Sequence, residues 1–139
     1  MFIVVDSNVV YSSLLSKGKA FKVFWLNALL KRFEFVAPEF MFFELEKHFD
    51  EIISRSKLPK EEISEVFEFV KEQIETIPFE EFNIYADEGE KLSPHLKDIQ
   101  YFALSLAFDK APIWSEERAF KEQDEIEILN TDSLLKELQ

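Results

Sequence analysis

The pattern that most constrains this chain is an alternation of short apolar runs with longer segments of helical periodicity. The first run, residues 2–5, reads Phe-Ile-Val-Val and stops at a polar Asp-Ser-Asn, which is typical of a strand buried on both faces. Further strand candidates are residues 33–37, 76–82, 111–115 and 126–129. Because parallel strands need long, usually helical connections, the alternation predicts a three-layer α/β domain. A mostly parallel central sheet of about five strands, flanked by helices, is therefore expected.

The predicted helices follow the same alternation. They cover residues 21–32, 39–55, 59–74, 94–109 and 133–138. Ser93 and Pro94 are residue types preferred at the N-cap and the first helical position, so the fourth helix is predicted to begin there. That helix is apolar nearly all round, which indicates burial. Trp25 and Trp114 are predicted to lie in the core and not to serve as platforms for base stacking.

Bulk composition narrows the class of protein. The length predicts one domain, residues 1–139, and a hydrophobic content of 47% is enough for a proper core. The absence of cysteine excludes disulfides and thiolate metal sites. No apolar run is long enough to span a bilayer, and the N-terminus lacks the features of a signal peptide. We therefore expect a cytoplasmic protein without membrane association.

The net charge of −12 bears on nucleic-acid binding. A protein that holds nucleic acid by its phosphates is normally basic, so this charge argues against a tight, non-specific binder. It leaves open an enzyme in which bound cations meet the phosphate, since metal ions invert the local field.

Four acidic residues stand where chemistry is expected. Asp6 follows the first strand and Glu117 follows the fourth, and ligands of open α/β sheets bind beyond the carboxyl ends of the strands. Glu44 flanks the apolar arc of its helix, and Asp98 lies in the first turns of the buried helix. Clustered carboxylates repel one another unless a cation lies between them. Oxygen ligands of this kind suit Mg²⁺ or Mn²⁺.

Five segments of the chain resemble the motifs of PIN domains. Residues 3–9, Ile-Val-Val-Asp-Ser-Asn-Val, resemble the opening strand, in which an aspartate ends the strand. Residues 38–45 resemble the helix of the second acid, and residues 96–107 resemble the third motif, an aspartate before an apolar helix. Residues 113–120 are similar to the fourth motif and residues 127–131 to the closing strand. The resemblance covers the whole chain in order and spacing.

This resemblance implies a PIN fold and a metal-dependent endoribonuclease. Asp6, Glu44, Asp98 and Glu117 would be the catalytic acids and would hold Mg²⁺ or Mn²⁺. Asn8 and Ser115 would support them through hydrogen bonds. The substrate would be RNA, a common family role is the toxin of a toxin–antitoxin pair with an antitoxin protein as partner, and PIN proteins often form homodimers. The three phenylalanines around Glu44 cannot all reach one core, which also favours a dimer interface.

The fourth motif departs from the family pattern. The acid is Glu117 where Asp is usual, Ala119 replaces a frequent further acid, and Glu116 is an immediate rival to Glu117. These departures and the net charge favour an alternative function, a catalytically weak or silent PIN scaffold that binds a partner protein. A general phosphotransfer enzyme is a weaker alternative, because no Gly-rich phosphate loop is present.

Two lysines are the candidates for substrate contact. Lys17 and Lys19 flank Gly18 in a predicted loop after the Asp6 helix, where a basic rim would approach phosphates.

Each acid also has an ordinary structural interpretation. Asp6 would act as a helix N-cap, Asp98 would pair with Lys97 or Arg118, and Glu44 would pair with the histidine four residues later. Acid and histidine also neighbour each other on two helices, at 44 and 48 and at 95 and 98, loosely as in di-iron bundles. The spacing and order are wrong for that site, and the predicted strands disfavour a bundle.

Overall fold

Five parallel strands form the centre of the molecule, which the computed structural model describes over residues 1–139. In sequence order the strands are β1 (Phe2–Val5), β2 (Glu34–Pro38), β3 (Ile74–Ile77), β4 (Ile113–Trp114) and β5 (Ile128–Leu129). Their order across the sheet is β3-β2-β1-β4-β5, and every pairing is parallel. The predicted α/β class with a central sheet of five strands is confirmed.

Eight α-helices flank this sheet. They are α1 (Ser7–Ser16), α2 (Lys19–Leu30), α3 (Phe40–Lys47), α4 (Phe49–Arg55), α5 (Lys60–Gln73), α6 (Ala86–Leu92), α7 (Ile99–Ala107) and α8 (Thr131–Leu138). Helix α7 packs against β1, β2 and β4, while the Phe24 ring of α2 packs on Phe35 and Trp114 of the sheet. No helix has both the length and the apolar character needed to cross a membrane.

The pairing of β1 with β4 determines where the site lies. Val5 is the register partner of Trp114, and the Asp6 N–H donates to the Trp114 carbonyl at 3.0 Å. The next residues, Asp6 and Ser115, therefore leave the sheet side by side at the carboxyl ends of two adjacent strands. A strand order that places β4 next to β1 thus joins positions that are far apart in sequence.

Residues 39–55 form two helices where the sequence predicted one. The break lies at His48, whose φ of −101° and ψ of 16° depart from helical values. Its N–H donates to the Leu45 carbonyl three residues earlier, so the last turn of α3 tightens before α4 begins. The break thus divides the predicted helix into α3 and α4.

The third strand and the helix after residue 93 also begin elsewhere than predicted. Strand β3 ends at Ile77 because Pro78 follows it, and residues 79–81 form a 3₁₀ turn. Ser93 ends α6, and α7 begins only at Ile99, after a 3₁₀ turn over Leu96–Asp98.

Helix α6 itself was not predicted, because a glycine lies inside it. Gly89 is required where α6 crosses α7. A Cβ atom at this position would come within 2.8 Å of the Ala103 backbone nitrogen. Gly89 therefore makes the helix hard to predict from the sequence, and it also allows α6 to pack closely on α7.

The two tryptophans have different environments. Trp114 is fully buried beneath Phe24 and Phe35, as predicted. Trp25 is 51% exposed on α2, so the prediction that it lies in the core is wrong. Apolar residues cover more of the surface of α2 than the core can bury. Only one side of the helix, where Val23 and Phe24 lie, reaches the core.

Candidate functional site

Asp6 is the most deeply placed acid of the molecule. It follows β1 directly and is only 5% exposed. Although Asp6 stands at the N-cap position of α1, its side chain makes no capping hydrogen bond there. The N-cap interpretation of this residue therefore has no support, and the buried carboxylate needs another explanation.

The hydroxyl of Ser115 joins the two strand ends. It donates to Asp6 Oδ2 at 2.7 Å and accepts from the Glu117 N–H at 3.0 Å. The side-chain amide of Asn8 donates to the same hydroxyl oxygen at 3.5 Å. One hydroxyl proton and two lone pairs match these three contacts. Ser115 thereby fixes the Asp6 carboxylate and the backbone that carries Glu117.

A cleft of about 900 Å³ opens above these residues. All four predicted acids line it, and so does Asn8. The full lining is Asp6, Ser7, Asn8, Tyr11, Phe40, Glu44, Leu45, His48, Glu51, Arg55, His95, Leu96, Lys97, Asp98, Gln100, Tyr101, Glu117 and Phe120. The structure therefore brings the four acids to one concave surface at the carboxyl edge of the sheet, where ligands of such folds bind.

Burial raises the pKa of Asp6 to about 6. The hydrogen bond from Ser115 opposes this effect, while the negative charges of Asp98 and Glu117 add to it. A carboxylate whose neighbours resist its ionisation is a common feature of functional sites. The mutual repulsion shows that Asp6, Asp98 and Glu117 act on one another across the cleft.

Asp98 occupies the end of the 3₁₀ turn that leads into α7 and is 8% exposed. Burial raises its pKa, and the negative charge of Glu117 raises it further. The positive charges of Lys97 and His95 act in the opposite direction. Asp98 forms no ion pair with Lys97 or Arg118, so the ion-pair interpretation fails.

Glu116 and Glu117 have separate environments. Glu117 lines the cleft. Glu116 points the other way and accepts hydrogen bonds from Thr131 at the start of α8, from the backbone N–H at 2.9 Å and from the hydroxyl at 3.3 Å. Of the two rivals, Glu117 is the one that shares the cleft with Asp6.

Glu44 lies at the rim of the cleft. It is exposed and pairs with Lys47 at 3.5 Å, whereas His48 pairs with Glu51 at 3.8 Å. The predicted contact with His48 is therefore absent, although both side chains line the cleft. The parallel sheet excludes a di-iron bundle.

Two buried polar atoms in the cleft have no hydrogen-bond partner. They are Asn8 Oδ1 and the Tyr11 hydroxyl. A buried oxygen of this kind calls for an additional ligand, water or ion. Tyr101 is a further buried residue of the lining, and its pKa is raised by burial and by the charge of Asp6. The sequence analysis did not single out Tyr11 or Tyr101, because aromatic side chains are more often core residues than parts of a polar site.

The chemistry of the lining fits a divalent cation. Its donors are oxygens, three carboxylates repel one another, and two further oxygens are unpaired. No three Asp, Glu or His side chains lie close enough together to hold one ion in this arrangement. The donor atoms are thus of the kind that Mg²⁺ or Mn²⁺ prefers, while the side chains do not form a complete ion site in this arrangement.

The structure does not bring Lys17 and Lys19 to the cleft. Lys17 pairs with Glu62 of α5 at 3.1 Å, and Lys19 pairs with Asp132 of α8 at 3.0 Å. The loop after α1 faces these helices, which corrects the expectation of a basic rim there. Arg55 and Lys97 line the cleft in their place.

The comparison with known families decides what kind of domain this is. The family model for the PIN domain matches residues 4–138. The chain belongs to the PIN-domain family. Proteins of this family are generally nucleases, and the match confirms the resemblance seen in the sequence.

The fold is also similar to that of a solved structure. The crystal structure of VapBC2 from Rickettsia felis, bound to a DNA fragment from their promoter, contains a chain that matches with a TM-score of 0.66. The match covers 94% of this chain and 98% of the other at 18% sequence identity, so it supports the fold. No curated protein matches the sequence.

Proposed function

We propose that this PIN domain is a metal-dependent endoribonuclease. The observation that carries the proposal is the position of Asp6, which is buried where β1 ends and is repelled by Asp98 and Glu117 in the same cleft. Such an arrangement destabilises the fold unless a cation relieves it. A functional site is the physical reason to retain it.

Each acid has a role in this proposal. Asp6, Asp98 and Glu117 would hold Mg²⁺ or Mn²⁺, and Glu44 would complete the set from the rim. Bound metal lowers the pKa of an attacking water and stabilises the charge that develops at a phosphodiester. Ser115 holds the Asp6 carboxylate in place, and Asn8 lies beside it.

The cleft has its own cations for the phosphate backbone. Lys97 has no ion-pair partner within 4.0 Å, while Arg55 pairs with Glu51 at 3.2 Å. They would contact phosphates on either side of the scissile bond. With five acids in the lining, binding would be weak without metal and sensitive to salt.

The biological setting proposed is the toxin of a toxin–antitoxin pair. The similarity to a chain of VapBC2 supports this assignment, with RNA as substrate and an antitoxin protein as partner. A homodimer in the cytoplasm completes the proposal. Phe43 is 59% exposed beside Glu44 and is available for such contacts, whereas Phe42 is buried against Phe67.

A silent scaffold is the second candidate. It is favoured by the absence of three side chains close enough to hold one ion, and by Ala119 beside the cleft acids. Cleavage of RNA separates the two functions, because a scaffold would bind its partner without cutting RNA.

The proposed reaction is tested by product analysis. Purified protein is incubated with single-stranded RNA, double-stranded RNA and single-stranded DNA in Mn²⁺, with and without excess chelator. Internal cuts in single-stranded RNA that stop with chelator are expected. Equal cleavage of DNA, or cleavage that continues in chelator, would contradict the proposal.

A further inference from the structure

The charges of this acidic protein are segregated along the chain. Residues 7–33, which hold α1 and α2, contain five of the 16 Lys and Arg residues and none of the 28 Asp and Glu residues. This segment therefore carries +5, and the rest of the chain carries −17. Where the cations of this segment are exposed and not paired with acids, they create a local positive field on an otherwise acidic molecule.

Helix α2 places part of this charge beside exposed apolar side chains. Lys22, Trp25 and Leu29 fall within an arc of about 60° on the helix, given 3.6 residues per turn. Trp25 is 51% exposed, Leu29 is 69% exposed and the adjacent Leu30 is 48% exposed. We call Lys22, Trp25, Leu29 and Leu30 the α2 face. No residue of α2 lines the cleft.

The cations at both ends of the α2 face are free to meet a partner. Lys22 and Lys31 have no ion-pair partner within 4.0 Å, whereas Lys17 and Lys19 are engaged by Glu62 and Asp132. The free lysines flank the exposed apolar residues along the helix. An apolar strip between two unpaired positive charges complements a strip between two negative ones.

The aromatic part of the α2 face rests on a firm base. The Trp25 ring stacks on Phe21 with centroids 6.4 Å apart and contacts Phe69 of α5 at 5.7 Å. The Lys17 ammonium lies 5.2 Å from the centre of the Phe21 ring. Trp25 is therefore held in place before any partner arrives, which lowers the entropy lost on binding. Tryptophan is also one of the residue types enriched among the few residues that contribute most to binding at protein interfaces.

We propose that the α2 face is a docking surface for an acidic amphipathic segment of a partner protein. The segment presents apolar side chains to Trp25, Leu29 and Leu30, and carboxylates to Lys22 and Lys31. A helix laid along α2 satisfies this pattern with apolar residues spaced three and four apart.

Two other occupants fit the α2 face less well. RNA bases stack on aromatic rings, but Leu29 and Leu30 offer no π-face, and two free lysines neutralise few phosphates. A second copy related by a two-fold axis would bring Lys22 and Lys31 against the same lysines, so like charges would repel. Charge and side-chain type together favour the acidic segment.

Fluorescence quenching tests the proposal directly, because the two tryptophans differ in exposure. Trp114 is fully buried, so acrylamide quenching of the whole protein reports on Trp25. The probes are a helical peptide with a leucine stripe flanked by glutamates, the same peptide with lysines in place of glutamates, and a single-stranded RNA. The acidic peptide is expected to protect Trp25 from acrylamide, and the basic peptide is not.

Matched variants show whether the lysines and leucine act as proposed. Lys22→Glu with Lys31→Glu is expected to weaken binding of the acidic peptide by roughly tenfold or more. Lys60→Glu with Lys91→Glu makes the same change of charge on α5 and α6 and is expected to leave binding unchanged. Leu29→Ala should weaken binding, and Ile84→Ala, at an apolar residue that is even more exposed, should not. Asp6→Asn should bind the peptide normally, which separates this surface from the cleft.

Several results would overturn the docking proposal. They are equal protection by both peptides, protection by RNA alone, protection that grows with protein concentration together with a dimer in sedimentation, and no protection by any probe. Circular dichroism of each variant shows whether it is folded. A loss of binding in a folded variant is then attributed to the α2 face.

Discussion

The hydroxyl of Ser115 donates a 2.7 Å hydrogen bond to the buried carboxylate of Asp6, across a sequence separation of 109 residues. This bond favours the ionised acid, while burial and the neighbouring acids oppose ionisation. Burial and the neighbouring acids have the larger effect, so the pKa of Asp6 rises to about 6. The site therefore holds a negative charge at neutral pH at a cost to the fold, and a cation would remove that cost.

The first prediction concerns stability without metal. The pKa of Asp6 is higher in the folded protein than in the unfolded chain, so its protonated form stabilises the fold and this stabilisation is lost as pH rises through about 6. Asp6→Asn removes the loss. The variant's gain in unfolding free energy over wild type should grow by about 1 to 2 kcal/mol between pH 5 and 8. Urea denaturation in chelator measures it, and a difference independent of pH would contradict the raised pKa.

The second prediction concerns metal. Millimolar Mn²⁺ should raise the melting temperature of wild type by roughly 5 °C, through binding to the native state alone. Asp6→Asn and Asp98→Asn should lose most of this rise, and Asp124→Asn, on an exposed loop, should keep it. Differential scanning calorimetry checks the shift. A wild type that melts at the same temperature with and without Mn²⁺ would show that the acids do not assemble a site.

Much of the site was predictable, because its signals are local. An apolar strand that ends at Asp6, and an acid at the head of a buried helix in Asp98, are visible in short stretches of sequence. The contact of Ser115 with Asp6 depends on the strand order, which places β4 beside β1. The sequence could therefore suggest Ser115 as a candidate residue, but only the pairing of β1 with β4 shows that it binds Asp6.

The basic residues were harder to place for a physical reason. Lys17 and Lys19 follow the Asp6 helix closely in sequence, but the packing of α5 and α8 draws them to Glu62 and Asp132. Arg55 instead lines the cleft from the last turn of α4. Side-chain pairing on a surface depends on elements far along the chain, and a local pattern does not contain it.

The third prediction separates the neighbouring glutamates. Glu117→Gln should reduce both the Mn²⁺-induced stabilisation and RNA cleavage, because Glu117 faces the cleft. Glu116→Gln should leave both properties intact and lower stability by about 1 kcal/mol, since it weakens the hydrogen bonds to Thr131. Thermal melting and a cleavage assay on the two variants give the answer. The reverse ranking would assign the fourth acid to Glu116.

The fourth prediction concerns RNA contact. Arg55→Gln with Lys97→Gln should weaken RNA binding roughly tenfold and reduce its salt dependence by about two counterions. Lys17→Gln with Lys19→Gln makes the same change of charge outside the cleft and should have little effect. Fluorescence anisotropy in chelator, over a series of salt concentrations, compares the pairs. If the Lys17 and Lys19 pair proves the more damaging, RNA approaches from the α1–α2 loop.

The central claim is that the acids around Asp6 cut RNA with the help of metal. The most direct measurement is the rate of single-stranded RNA cleavage in Mn²⁺ by wild type, Asp6→Asn and the matched Asp124→Asn, each purified identically. The predicted result is cleavage by wild type and Asp124→Asn, a loss of at least about a hundredfold in Asp6→Asn, and no cleavage in chelator. Full activity in Asp6→Asn, or no cleavage by a wild type that binds Mn²⁺, would contradict it.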